Sequence, residues 1–275
     1  MMTNYSKQLL ALLLLVTACT TSRQATESNT DWKKVSILVY TKNGKGYVHA
    51  NIPAANASFQ QLGAAYGFTV AISDNPADFN ENNLKQYQAV VFNNTNNDVF
   101  DTDAQKVAFM RYIQAGGGFV GIHSASGTER NWPWFKRLIG GTFLRHARHQ
   151  PFTEIIIDKT HPSTSFLPAT WERDDECYYI KEVNPDLHVL MVHDLTSVKD
   201  TAKPVFYGNT FPSVWCHEFD GGRGWYTSLG HDSATYTEKA FQQHLVGGLQ
   251  WVIAKGKALD YSKAHARTPN DTLPY

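Results

Sequence analysis

Apolar and polar positions fall into two regimes along this chain. From Val35 to Ile122, short runs of β-branched and aromatic residues alternate with stretches of helical spacing. Val35-Ser36-Ile37-Leu38-Val39-Tyr40 is almost continuously apolar, as expected of a central strand covered on both faces. Pro53 suits the first turn of a following helix, Phe59, Leu62 and Tyr66 share one of its faces, and Gly67 closes it before a strand over Phe68–Ile72. Leu84 and Tyr87 lead into a strand over Ala89–Phe92. Val107, Phe109, Met110 and Ile113 then mark a helix stopped by Gly116, and Phe119–Ile122 form the next strand. This βαβαβ rhythm predicts a parallel sheet with right-handed crossovers, which binds ligands at the carboxyl ends of its strands.

Beyond residue 150 the spacing changes to closely set strands with few helices. They are predicted over Thr153–Ile157, Cys177–Ile180, His188–Val192, Val205–Gly208, Ser213–Phe219 and Trp225–Leu229, in antiparallel or mixed order. A last helix from about Thr237 to Ala254 carries Phe241, Leu245, Leu249 and Val252 at helical spacing and can pack back on the sheet.

The ends read differently. Lys7, the apolar block Leu9–Val16 and Val16-Thr17-Ala18-Cys19 form the three parts of a signal peptide, over residues 1–18. Cys19 stands where a bacterial lipoprotein carries its lipid, and residues 19–31 suit a polar tether. A plain secretory signal with a chance cysteine is the other reading. One domain is expected over residues 32–258, followed by a polar tail over 259–275. An exported, envelope-located chain follows, attached to the membrane only through the amino-terminal lipid.

Composition narrows the ligands. Twenty-five basic residues balance twenty-five acidic ones, so no charge excess points to nucleic acid or a membrane surface. A small, roughly neutral ligand fits better. Of the three cysteines, Cys177 and Cys216 remain after Cys19, either as a pair or as buried thiols.

Candidate chemistry centres on Gly121-Ile122-His123-Ser124-Ala125, which has the shape of a nucleophile elbow with histidine at its apex. The letters Gly116–Gly121 also satisfy G-x-G-x-x-G, but the required strand and helix are in reversed order, so dinucleotide binding is rejected. There is no Walker A sequence, and Ser124 lies one residue past the apex, so no serine triad can be nominated. His49, His146, His149, His217 and His231 also fall where strands end or loops begin. Converging imidazoles would supply general bases, general acids or ligands for a divalent metal such as zinc; His123, His146 and His231 are the candidate ligands. Asp174-Asp175-Glu176 offers carboxylates beside Tyr178. Strand alternation places Trp215 and His217 on one face and Cys216 on the other, which argues against a cysteine nucleophile. Trp132, Trp134, Trp171, Trp215 and Trp225 would stack on sugar faces or belong to the core.

Taken in order, several blocks resemble one family: Gly46–Pro53, Gly117–Ala125, Trp132-Pro133-Trp134, Ile139–Phe143, His161-Pro162, Asp175–Tyr178 and Gly222–His231. The chain is similar, over about Val35 to Lys255, to the ThuA (trehalose utilisation) family. That resemblance implies a flavodoxin-like, class I glutamine amidotransferase-like α/β fold, helices on both faces and extra antiparallel strands in the carboxyl-terminal half. Histidine replaces the amidotransferase cysteine, so amidotransferase activity is not expected. The resemblance further implies carbohydrate utilisation on glycosides or 3-keto sugars, with a partner dehydrogenase in the same pathway. His49, His123, His146, Glu176, His217 and His231 lie in the matching blocks. Two departures bear on the pocket: Asp-Glu-Cys-Tyr stands for Asp-Glu-Trp-Tyr, and Phe211-Pro212 for His-Pro.

The expected activity is hydrolysis, elimination or isomerisation of a glycoside or 3-keto sugar. In it His123, Glu176 and His217 do the chemistry, and His49, His146, His231, Trp132, Tyr178 and Trp215 bind substrate. A non-catalytic sugar-binding lipoprotein would use the same pocket, and a structural surface protein would use none of it.

Overall fold

The computed structural model describes residues 30–253 and 258–271. The signal peptide, Cys19 and most of the tether lie outside the described residues. No described helix is long and apolar enough to cross a membrane.

Four strands of the first half are β1 (Ser36–Tyr40), β2 (Thr69–Ser73), β3 (Ala89–Asn93) and β4 (Gly118–Ile122). They lie in the order β2-β1-β3-β4, all parallel, which the short apolar runs with intervening helices require. The connecting helices are α1 (Ile52–Tyr66), the short α2 (Glu81–Leu84) and α3 (Asp103–Gln114). Gly67 ends α1 in the left-handed conformation, and α3 begins with a reciprocal capping box between Thr102 and Gln105. After α4 (Pro133–Ile139) come β5 (Thr142–His146), β6 (Gln150–Ile156), β7 (Thr170–Asp175), β8 (Tyr178–Lys181), β9 (His188–Asp194), β10 (Thr210–Phe219) and β11 (Gly222–Thr227).

β11 pairs parallel with β4, and β10, β9, β6 and β7 continue the sheet antiparallel. The result is a mixed nine-stranded sheet, while β5 and β8 form a separate antiparallel pair. Helix α5 (Lys239–Ile253) packs on β4 and β11. Successive residues of β11 face opposite sides: a side chain at Gly224 would meet Leu138 of α4, whereas Trp225 presses on Gly248 of α5. Helices therefore cover both faces, and the core runs through the sheet from Phe59 to Phe109 and Phe135.

Three expectations change. Val205–Gly208 is a turn closed by the bond from the Gly208 N–H to the Val205 carbonyl, and Val205 and Phe206 lie exposed. Strands β5 and β7 were not expected. The last segment packs along α3: Gln114 accepts from the N–H groups of His265 and Ala266, and Arg111 donates to the Ala264 carbonyl. Cys177 and Cys216 are buried free thiols, each with its own surroundings.

Candidate metal centre

The elbow forms as its small residues demand. His123 follows β4 directly with φ of 50°, a left-handed conformation that strains any residue with a Cβ. The Tyr226 hydroxyl donates to its carbonyl at 2.8 Å and fixes the turn. Its imidazole then projects beyond the carboxyl end of the central strand.

One contact decides how that imidazole is protonated. His123 Nδ1 lies 2.7 Å from the Ser228 carbonyl, which only accepts, so Nδ1 carries the hydrogen. Nε2 consequently presents its lone pair, and the Tyr178 hydroxyl donates to it at 2.8 Å. Burial, and then the neighbouring Glu176 charge, holds the Tyr178 phenol well above the usual tyrosine range, so this proton stays in place.

Three further groups converge on the same point. His231 Nδ1 lies 3.2 Å from Glu176 Oε2 and 3.4 Å from His123 Nε2. Glu176 Oε2 is 3.5 Å from His123 Nε2. The His49 ring stands edge-on to His123 at 4.8 Å, and its buried Nδ1 has no hydrogen-bond partner. One ligand atom from each of His49, His123, Glu176 and His231 falls within 4.8 Å of all the others. Burial alone would raise the Glu176 pKa, but the adjacent His123 and His231 outweigh it and hold the carboxyl below its ordinary range. Burial, followed by the neighbouring His123 and His231, lowers His49 to about 3 and leaves it neutral. Glu176 raises His231 above the ordinary histidine range. Neutral imidazoles with one carboxylate are the donor set of zinc and similar divalent ions.

The frame behind these ligands is polar and buried. Asp175, fully buried, accepts from the backbone N–H groups of Glu176, Gly230 and His231 at 2.8, 2.8 and 3.2 Å. Asn51, just ahead of α1, donates to the Gly230 carbonyl and to Asn94. Asp175 thus ties the Glu176 and His231 backbones together, a role hidden in the sequence because Asp174-Asp175-Glu176 reads equally well as a solvated cluster. Asn51 and Ser228 lie in the blocks Gly46–Pro53 and Gly222–His231, but nothing in the sequence marked the role of the Asn51 amide or the Ser228 carbonyl.

The remaining candidates separate by position. His146 stands at the exposed rim, its Nδ1 3.4 Å from Glu176 Oε1 and outside the four-residue group. His149 pairs with Asp232 at 2.8 Å, its ring 5.6 Å from that of His231. His217 is elsewhere: it is buried, donates through Nε2 to the Leu138 carbonyl at 2.7 Å, and pairs with Gly224 at the level of Phe119. Four strand residues separate that level from His123, roughly 13 Å of rise. Trp132 stacks on Trp134 and Phe135 in the core, and Trp215 is buried against Tyr226 with its indole N–H on the Ile139 carbonyl. Neither tryptophan reaches the cluster, because each supplies a ring to helix packing.

The family model for trehalose utilisation, ThuA, matches residues 36–252. The chain belongs to the ThuA family. A ThuA-like protein from Bacteroides uniformis is similar at 26% identity and TM-score 0.69, over 84% of this chain and 96% of that one. A second ThuA-like protein, from Parabacteroides merdae, gives 21% identity and TM-score 0.63 over 82% and 91%. A GMP synthase protein from Thermoplasma acidophilum, at 11% identity and TM-score 0.50 over 81% and 95%, shares the fold alone. The comparison with curated proteins found no match. The ThuA fold is thus glutamine amidotransferase-like, and in this member histidine occupies the elbow.

Proposed function

We propose that this ThuA-family protein is a metal-assisted enzyme of carbohydrate utilisation, acting on a glycoside or 3-keto sugar. The observation that carries the reading is the convergence of His49, His123, Glu176 and His231, with an orphaned His49 nitrogen and a His123 lone pair turned to the same point. When bound, a divalent cation would polarise a sugar carbonyl or hydroxyl oxygen.

The side chains around it would handle protons. Tyr178, held protonated, is placed to donate to a sugar oxygen once it leaves the His123 lone pair. His146 at the exposed rim is placed to take a proton from carbon. In a 3-keto glycoside the ketone acidifies the adjacent C2 hydrogen. Removing that proton forms the C1–C2 double bond as the C1–O bond breaks, and the departing oxygen takes a proton to leave as an alcohol. A partner dehydrogenase would supply the ketone. The amino-terminal pattern ending at Cys19 supports attachment of the enzyme to the cell envelope by a lipid.

The test combines metal analysis of the intact protein with incubation against glycosides and their 3-keto forms, products being identified by mass spectrometry and NMR. One divalent ion per chain is expected, and His123→Ala and Glu176→Gln should lose both ion and turnover. Turnover that survives a chelator and His123→Ala would sink the proposal. Saturable sugar binding without product would point to the non-catalytic sugar-binding protein.

A further inference from the structure

A cleft of about 480 Å³ opens at the other end of the sheet, between the start of β9, the end of β10 and the last turn of α5. Its walls include His161, Trp251, Asp158, Asp186, His188 and Glu218. Cys216 and Glu218 pair with Trp225 and Arg223, which lie level with Val120 and Gly118 in β4, so the cleft is remote from the elbow.

His161 distinguishes this cleft from an ordinary surface depression. Gly247 of α5 has no side chain, and a Cβ there would come within 2.4 Å of Pro162 and Ser163, so the loop can press directly on the helix. In that position the Ser163 N–H donates to His161 Nδ1 at 3.2 Å, and the Ser163 hydroxyl lies 2.8 Å from the same atom. The imidazole proton must therefore sit on Nε2. His161 is 5% exposed, and its Nε2 has no partner in the protein. A buried donor without an acceptor leaves a hydrogen bond unmade. A ligand oxygen would recover it.

The other walls limit what that ligand can be. An anion would meet three carboxylates. A purely apolar molecule would strip them of water without replacing their bonds. A metal ion needs convergent ligand atoms, and the single such group among the described residues is the elbow cluster. Asp158 is engaged by His188 at 2.7 Å and Glu218 by Arg223 at 3.1 Å, so an organic cation would meet two carboxylates that already have partners. What fits is an uncharged ring with one apolar face and several hydroxyls. Trp251, partly exposed, supplies aromatic surface, the carboxylates accept from hydroxyls, and His161 donates.

We propose that this cleft is a second, non-catalytic binding site for a neutral pyranose, separate from the elbow centre and independent of its metal. The test titrates the intact protein with methyl glucoside, methyl galactoside and methyl mannoside. Binding is followed by saturation-transfer NMR and by the Nε2–H signal of His161 in protein carrying ¹⁵N-histidine. Saturable binding that shifts this signal is expected. Asp186→Ala and Trp251→Ala should each weaken it about tenfold, the loss of one good polar or stacking contact. Asp186 is exposed, so its variant keeps the test sound even if Trp251→Ala fails to fold. His123→Ala should leave the affinity unchanged while removing turnover, which separates this site's fate from that of the proposed enzyme. The proposal is overturned by no saturable binding, by binding lost in His123→Ala but kept in Asp186→Ala, or by a His161 signal that responds to zinc or magnesium and to none of the sugars.

Discussion

Asp175→Asn is the sharpest probe of how the elbow centre is held. The carboxylate is fully buried and accepts three backbone N–H groups, two at Oδ1 and one at Oδ2. Asparagine keeps the shape but turns one oxygen into a donor, so either Gly230 or the pair Glu176 and His231 faces an NH₂ group. At least one bond to a charged acceptor is lost, about 1.5–3 kcal/mol, and a buried N–H is left unpaired at roughly 1–3 kcal/mol more. The sum is about 2.5–6 kcal/mol. At ~2–4 °C per kcal/mol for a domain of this size, Tm should fall by roughly 10 °C. Because the same carboxylate sets the backbones of two candidate ligands, zinc affinity should fall at least tenfold as well, or about 1.4 kcal/mol. Differential scanning calorimetry and competitive zinc titration measure the two effects. A Tm within about 2 °C of the parent, with zinc affinity intact, would show that Asp175 does not organise this centre.

Three further outcomes follow from other parts of the molecule. Burial opposes charge on His193, but Cys177 and Glu154 outweigh it and hold its pKa well above the ordinary value. The stability it contributes is therefore complete below the unfolded pKa of about 6.5 and lost as pH rises through the folded value. Urea denaturation across that range should show this decline, and Glu154→Gln should flatten it; an equal slope in both proteins refutes the assignment. Gly230→Ala places a side chain at φ of 113° and 2.7 Å from the Tyr236 hydroxyl, so it should destabilise by about 1–3 kcal/mol, read as a lower urea midpoint. An unchanged midpoint would refute the strain. His217→Gln should leave kcat/KM within about twofold of the parent, since the ring bonds the Leu138 carbonyl away from the cluster; a hundredfold loss would return His217 to the chemistry.

The parallel half was legible because its strands are buried on both faces, so an apolar run such as Ala89-Val90-Val91-Phe92 leaves no competing pattern. Strand β7, Thr170-Trp171-Glu172-Arg173-Asp174-Asp175, is polar enough to read as loop, being an edge strand whose outward side chains meet water. Strand β5 was hidden for a similar reason, with Leu144 and His146 outward and exposed. At the site, the elbow followed from small residues around His123, and His49, Glu176 and His231 were read from strand ends and loop entries and fell again in the blocks that resemble the family. What sequence could not supply was direction. His217 lies near the end of β10, but β10 runs antiparallel to β11 and β4, so its end meets the opposite edge of the sheet. The tryptophans pose the same difficulty, since a ring suited to a sugar is equally suited to a helix interface.

The partner of His123 Nδ1 is a main-chain carbonyl, and this sets a boundary on how the centre can be altered. A carboxylate in that position could be exchanged for an amide or removed, reversing which ring nitrogen carries the proton. The Ser228 oxygen belongs to the peptide unit and survives every substitution at its own position. Variation around this elbow is free to change the ligands, the rim and the substrate, while the orientation of the central imidazole is inherited from the backbone of the strand beside it.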